Sequence, residues 1–171
     1  MVIYKFGFNL LLKGKLIEKI LIKLLKSLKN YDVSLFKLSA NERNKSLTVA
    51  NKIIQQLLKK NFNRSDCLIA FGGGVLGDLS AFISSLTKRG IKFVNIPTTL
   101  LAQVDASIGG KTGINSDQGK NLIGSFLFLK FAVCGRSSAV CSRWSDASHV
   151  SSAKHKKRMR ALLHAVGADL V

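Results

Sequence analysis

Two stretches of the chain concentrate residue types that can do chemistry. The first is Gly72-Gly73-Gly74-Val75-Leu76-Gly77-Asp78. Glycines let a backbone approach a ligand without a Cβ clash, and a helix opening just after them offers unpaired N–H groups to phosphate. Asp78 falls in the first turn of that helix, where a carboxylate either meets a ligand or simply complements the helix dipole. The second stretch runs from Pro97-Thr98-Thr99 through Asp105 to Ser107–Asn115 and then Gly119-Lys120-Asn121. Hydroxyls, a carboxylate, glycines, carboxamides and two lysines gather there in an otherwise apolar region. Lys111 and Lys120 suit anionic oxygens as point charges rather than forks. The plainer reading is a solvated loop that uses Gly and Asn for turns.

These residues need elements to hold them. Cys67–Phe71 is an apolar run delivering the chain to the glycines, as a buried parallel strand does. Val75–Leu86 follows as a helix, and Ile91–Ile96 as a second buried strand stopped by Pro97. Strand, helix and strand in alternation imply an α/β fold with a parallel sheet. In such sheets ligands bind outside the carboxyl ends of the strands, where both polar stretches begin. Upstream, Leu16, Ile17, Ile20, Leu21, Leu24, Leu25 and Leu28 recur at helical spacing between lysines. That pattern fits a helix packed on the sheet with a solvated lysine face, or a membrane-surface or partner-binding helix. Asp32–Leu38 is expected as a short strand and Lys45–Lys60 as a second amphipathic helix.

The 171 residues are 47% apolar, enough for one domain with a real core and too hydrophobic for disorder along the whole length. One proline and three cysteines exclude collagen-like and disulfide-scaffold classes. A net charge of +18 predicts attraction to polyanions: nucleic acid, anionic lipid or phosphorylated metabolites. No uninterrupted apolar run is long enough for a transmembrane helix, and Lys13 and Lys15 break the N-terminal apolar stretch before a signal sequence develops. The expected location is cytoplasmic, with free thiols.

Three blocks in order, GGGVLGDLSAF (72–82), RGIKFVNIPTTLLAQVDASIGGKTGIN (89–115) and GKNLIGSF (119–126), resemble 3-dehydroquinate synthase. The resemblance covers roughly Lys37–Phe126. It implies a Rossmann-like NAD-binding domain over residues 1–126, in a shikimate-pathway enzyme that feeds chorismate and aromatic amino acid biosynthesis. Family members convert 3-deoxy-arabino-heptulosonate 7-phosphate to 3-dehydroquinate and phosphate, with NAD used catalytically and a zinc or cobalt ion polarising the oxygen being oxidised. By the same resemblance Gly74, Val75, Leu76, Gly77, Asp78, Thr98 and Thr99 are expected to contact NAD, and Glu42 and Lys45 to hold its nucleotide. Asp105, Lys111, Lys120 and Asn121 are expected around nicotinamide and substrate as the catalytic set, Lys111 and Lys120 touching the cofactor as well.

The sequence also departs from the family pattern. Asn41 stands where the family normally has glycine, and the strands that usually precede the first helix look short or replaced. The helical C-terminal domain, which the resemblance implies would carry the glutamate and two histidines that bind the metal, is expected to be missing from these residues; the only glutamates in the sequence are Glu18 and Glu42. No metal ligand is therefore assigned, and the chain is expected to be a partial form of the enzyme whose catalytic competence is in question. Residues 127–171 read as a basic, serine-rich tail, disordered or out of frame. Cys134, Cys141, His149, His155 and His164 are zinc ligands by type; His149 and His155 have five residues between them, but Cys134 and Cys141 have six and do not make a tight pair. Lys154–Arg160 is a basic run with no aromatic to stack on a base, so no specific nucleic acid is expected. A related sugar-phosphate cyclase is the enzymatic alternative. A basic nucleic-acid or membrane-surface binder with a vestigial nucleotide fold is the alternative from another class. A homo-oligomer stays open, and a sheet that normally faces a second domain is expected to leave apolar surface exposed.

Overall fold

The structure, a computed structural model, describes residues 2–7, 22, 25, 26, 32–39, 41–106, 110–126 and 131–132. The lysine-flanked helix expected over 16–28 falls almost wholly outside the described residues, as do both tail cysteines, all three histidines and the basic run at 154–160. Among the described residues no helix is long and apolar enough to cross a membrane.

Among the described residues, five strands form one parallel sheet: β1 (Val2–Gly7), β2 (Ser34–Ser39), β3 (Cys67–Gly72), β4 (Lys92–Pro97) and β7 (Phe131–Ala132). Their order across the sheet is β2-β1-β3-β4-β7. β3 and β4 are buried from Leu68 and Phe93 to their ends, so alternation vanishes; β3 reads as a continuous apolar run, and β4 as one interrupted by the buried Asn95. Burial pushes the thiol of Cys67, free at the start of β3, up to about 12, which leaves it unreactive near neutral pH.

Two helices cover one face. Helix α1 (Leu47–Lys59) starts where Ser46 accepts a hydrogen bond from the Val49 N–H, and turns Ala50, Ile53 and Leu57 to the core. It stops at Asn61, whose φ of +55° lies in the left-handed region. Helix α2 (Gly74–Leu86) buries Leu76, Leu79, Phe82 and Ile83 in the same cluster, against Leu68, Ala70 and Phe93 of the sheet. Lys88, Arg89 and Gly90, all at positive φ, then turn the chain back toward β4.

Two expectations need correction. The polar stretch after Gly110 is not a loop. Lys111–Ser116 (β5) and Gly119–Phe126 (β6) form an antiparallel hairpin, anchored by Ile114, which is fully buried in the α1–α2 core. Burial of the consecutive residues Thr112, Gly113 and Ile114, with a turn at Asp117-Gln118, overrides the turn-rich composition. At the N-terminus, where the strands were expected to be short or replaced, the six-residue β1 sits inside the sheet, paired with β2 on one side and β3 on the other. β7 pairs with β4 through Val94–Phe131 and Asn95–Ala132, so two residues beyond Phe126 join the sheet.

Candidate functional site

From β1 the chain steps to one side, to β2, and then to the other, through β3 to β4. The carboxyl ends of β1 and β3 therefore flank a topological switch point, the place where open α/β sheets leave a crevice for ligands. The glycine turn stands there. The Thr98 N–H closes the end of the sheet by donating to Gly72 O at 2.9 Å. Gly73 caps α2 without a side-chain hydrogen bond, and its carbonyl accepts from both Leu76 and Gly77 N–H at 3.1 Å. The Gly74 and Val75 amides keep no backbone acceptor among the described residues, and both positions are half-buried. That is a helix N-terminus open to an anion.

A second segment lies across this turn. A Cβ on Gly73 would meet the Thr99 side chain at 3.6 Å, and one on Gly74 would meet the Ala106 Cβ at 3.3 Å. Thr99 holds the segment by accepting from Ala102 N–H through Oγ1 and from Gln103 N–H through its carbonyl. The result is a π-helical turn over Ala102–Ala106, an irregularity that concentrates at functional sites. Asp105, on this turn, is exposed, and its charge is felt at Asp78.

The centre of the site is a charged pair. Lys45 is only 4% exposed, and its Nζ donates to Asp78 Oδ2 and to Asn121 Oδ1, each at 2.5 Å. Burial raises the Asp78 carboxyl above the usual carboxylate range; the Lys45 hydrogen bond and charge pull it back, and Glu42 and Asp105 push it up further. Lys45 reaches this position from a 3-10 turn, Glu42–Asn44, capped by Asn41 Oδ1 on the Arg43 N–H. Asn41 has φ −123°, an extended value open to any residue, so the turn forms without the family's glycine.

Asn121 enters through a bulge. Ile114 pairs with Ile123 and Ser116 with Gly119, so Lys120, Asn121 and Leu122 together oppose the single residue Asn115. The bulge sets Asn121 at φ +58° and turns its carboxamide to Lys45. Asn115 in turn donates from Nδ2 to Glu42 Oε1 at 2.9 Å and accepts the Asn121 N–H through Oδ1 at 3.0 Å.

Of the residues singled out in the sequence, Glu42, Lys45, Asp78 and Asn121 are joined in this one network, and Gly74, Val75, Thr98 and Thr99 border the glycine turn. The Leu76 side chain is fully buried in the core, and its N–H donates to Gly73 O. Gly77 packs closely on the buried Asn95: a Cβ there would stand 3.1 Å from its carboxamide, which would have to shift by a few tenths of an ångström. Lys111 and Lys120 stand exposed on the hairpin, and neither enters the network. Asn115 was legible only as a turn residue; its pairing across the bulge carries no sequence signal. Among the described residues, no group of three His, Cys, Asp or Glu could hold a metal ion.

A parallel sheet with a glycine turn at its switch point, an uncapped helix N-terminus and a buried lysine beside it defines a Rossmann-like α/β domain. Residues 35–139 match the family described as 3-dehydroquinate synthase N-terminal, and the chain belongs to that family. It is 60% identical over 122 residues to the 3-dehydroquinate synthase of Pelagibacter ubique (strain HTCC1062), covering 71% of this chain and 33% of that protein. With the 3-dehydroquinate synthase of Blochmanniella floridana it shares 64% over 85 residues, 50% of this chain and 23% of the relative. The chain thus spans a third or less of these curated relatives. Among solved structures, 2-epi-5-epi-valiolone synthase from Streptomyces hygroscopicus subsp. jinggangensis 5008, with NAD+ and Zn2+ bound, superposes with a TM-score of 0.62 at 27% identity, over 77% of this chain and 35% of that one. A 2-deoxy-scyllo-inosose synthase complexed with carbaglucose-6-phosphate, NAD+ and Co2+ shares the fold at a TM-score of 0.66 and 22% identity, with the same coverage.

Proposed function

We propose that this chain is the NAD-binding part of a 3-dehydroquinate synthase. The observation that carries the reading is convergence: Glu42–Lys45, the glycine turn with Asp78, and the Asn115–Asn121 bulge meet at one switch point. The residues present suit a dinucleotide. The open N–H groups of Gly74 and Val75 would receive a pyrophosphate, and the half-buried Thr98 and Thr99 would border the nucleotide. NAD, when bound, supplies hydride acceptance and return. Lys45 would then offer a fixed cation to the bound dinucleotide, with Asp78 and Asn121 fixing the direction of its ammonium. Lys111, Lys120 and Asp105, exposed and outside the network, would meet the phosphorylated sugar-acid substrate.

The described residues do not suit a metal, and no step is assigned to one. The substrate proposed is 3-deoxy-arabino-heptulosonate 7-phosphate, in the shikimate pathway, and the free Cys67 thiol is compatible with a cytoplasmic location. Identities of 60% and 64% to 3-dehydroquinate synthases favour this substrate over those of the related cyclases.

Calorimetric titration of NAD into the whole chain tests the cofactor assignment. Saturable binding is expected, weakened tenfold or more by Lys45→Met or Asp78→Ala in variants that still melt cooperatively. No binding to folded wild-type chain, or wild-type affinity in both variants, would overturn it. Phosphate release from the proposed substrate, with NAD and zinc present, tests the substrate assignment. Faster release from a cyclase substrate lacking the carboxylate would overturn that part.

A further inference from the structure

The proposed cofactor site is assembled from segments far apart in the chain, and one side chain outside the expected set spans two of them. We propose that Asn115 is a positioning residue, which holds Glu42 and Asn121, and Lys45 through Asn121, in the geometry that receives the dinucleotide. The inference rests on the nucleotide-site reading above.

Backbone accounting leads to Asn115. The bulge in β6 leaves three residues opposite it, so its own groups leave the ladder. Its N–H donates to Lys45 O at 2.8 Å, forming an isolated bridge between Ser46 and Asn115. Its carboxamide then uses both ends: Nδ2 donates to Glu42 Oε1, and Oδ1 accepts from Asn121 N–H. A carboxamide is the one side-chain chemistry of this size with a donor and an acceptor at the same point. Aspartate keeps the acceptor and sets a second carboxylate 2.9 Å from Glu42; leucine keeps the size and loses both bonds. Asn121 sits at φ +58°, a left-handed conformation that asparagine visits more readily than other non-glycine residues but holds in one orientation only under local restraint. Its N–H bond to Asn115 is one such restraint, and its Oδ1 bond to Lys45 the other. Release of Asn115 therefore loosens Asn121, and removes one of the two acceptors that aim the Lys45 ammonium.

The distinguishing experiment uses polarity. Asn115→Asp is expected to weaken NAD binding about tenfold at pH 8, with the melt still cooperative. The deficit relative to wild type should shrink as pH falls toward 5, where one proton shared between the two carboxyls restores a donor. Pairing the change with Glu42→Gln should relieve the loss at pH 8, because the new amide donates to the new carboxylate. A merely structural role would lower the melting temperature without this reversal. Wild-type affinity in Asn115→Asp at pH 8, or a loss that neither acid nor Glu42→Gln relieves, would overturn the proposal. Should the wild-type chain fail to take NAD, the function proposed above falls, and amide NMR without nucleotide decides the role of Asn115. A shifted, faster-exchanging Asn121 N–H in Asn115→Leu, with α1 core amides unchanged, supports positioning; an unmoved Asn121 N–H refutes it.

Discussion

At the scale of single residues, the site turns on a buried ammonium that meets a carboxylate and a carboxamide. Removing one partner of such a pair costs more than the pair contributes, because the other charge stays desolvated. Lys45→Met is therefore expected to destabilise the chain toward the low end of the roughly 3–5 kcal/mol seen for buried pairs, since Asp78 keeps some contact with water. Chemical denaturation measures it. Both influences that lower the Asp78 carboxyl come from Lys45, so in that variant its titration, followed by carboxyl NMR, should move still higher. An unmoved titration would contradict the pairing. The sign of the stability effect follows. A folded value raised above 3.8 gives Asp78 a contribution fully present below about pH 3.8 and lost as pH climbs through the raised value. The stability of Asp78→Asn relative to wild type should accordingly rise with pH over that window; a fall would reverse the assignment. Glu42, Lys45, Asp78 and Asn121 were legible in the sequence because family-like motifs carry them. Asn115 was not, because its function comes from a register shift that no local pattern encodes.

At the scale of elements, the hairpin is held at a near-contact of two backbones. A Cβ on Gly124 would fall 2.0 Å from Thr112 O, a backbone atom that cannot give way without parting the strands. On Gly113 the nearest approach is 3.4 Å. Gly124→Ala should cost at least about 2 kcal/mol in thermal unfolding, and Gly113→Ala distinctly less. Because β6 carries Asn121, Gly124→Ala should also weaken NAD binding; equal stability and affinity in the two variants would refute this account of the hairpin. The strands around the glycine turn and both described helices were legible within a residue or two, since continuous apolar runs and the Ala50–Ile53–Leu57 spacing are local signals. The hairpin was hidden by its glycines and polar residues, whose burial depends on α2. β1 was hidden too: Lys5 interrupts a six-residue strand whose place in the sheet is fixed by partners distant in sequence.

At the scale of the whole molecule, the expected apolar exposure is present. Leu100, Leu101 and Val104 on the segment after β4, and Leu122 and Phe126 on β6, are all more than half exposed. Scattered leucines are ordinary on a surface, but sequence-adjacent exposures of this size favour association. Sedimentation velocity of the chain alone should show concentration-dependent association, reduced by Leu100→Ser with Leu101→Ser. A monodisperse monomer at all concentrations would contradict it.

The central claim, that NAD occupies the switch point and is gripped by the Lys45 network, is tested most directly by hydrogen exchange of the wild-type chain with and without NAD. The account predicts slowed exchange confined to the amides at 74–78, 98–99, 42–45 and 115–121. Protection absent from these segments, or concentrated elsewhere in the chain, would contradict it.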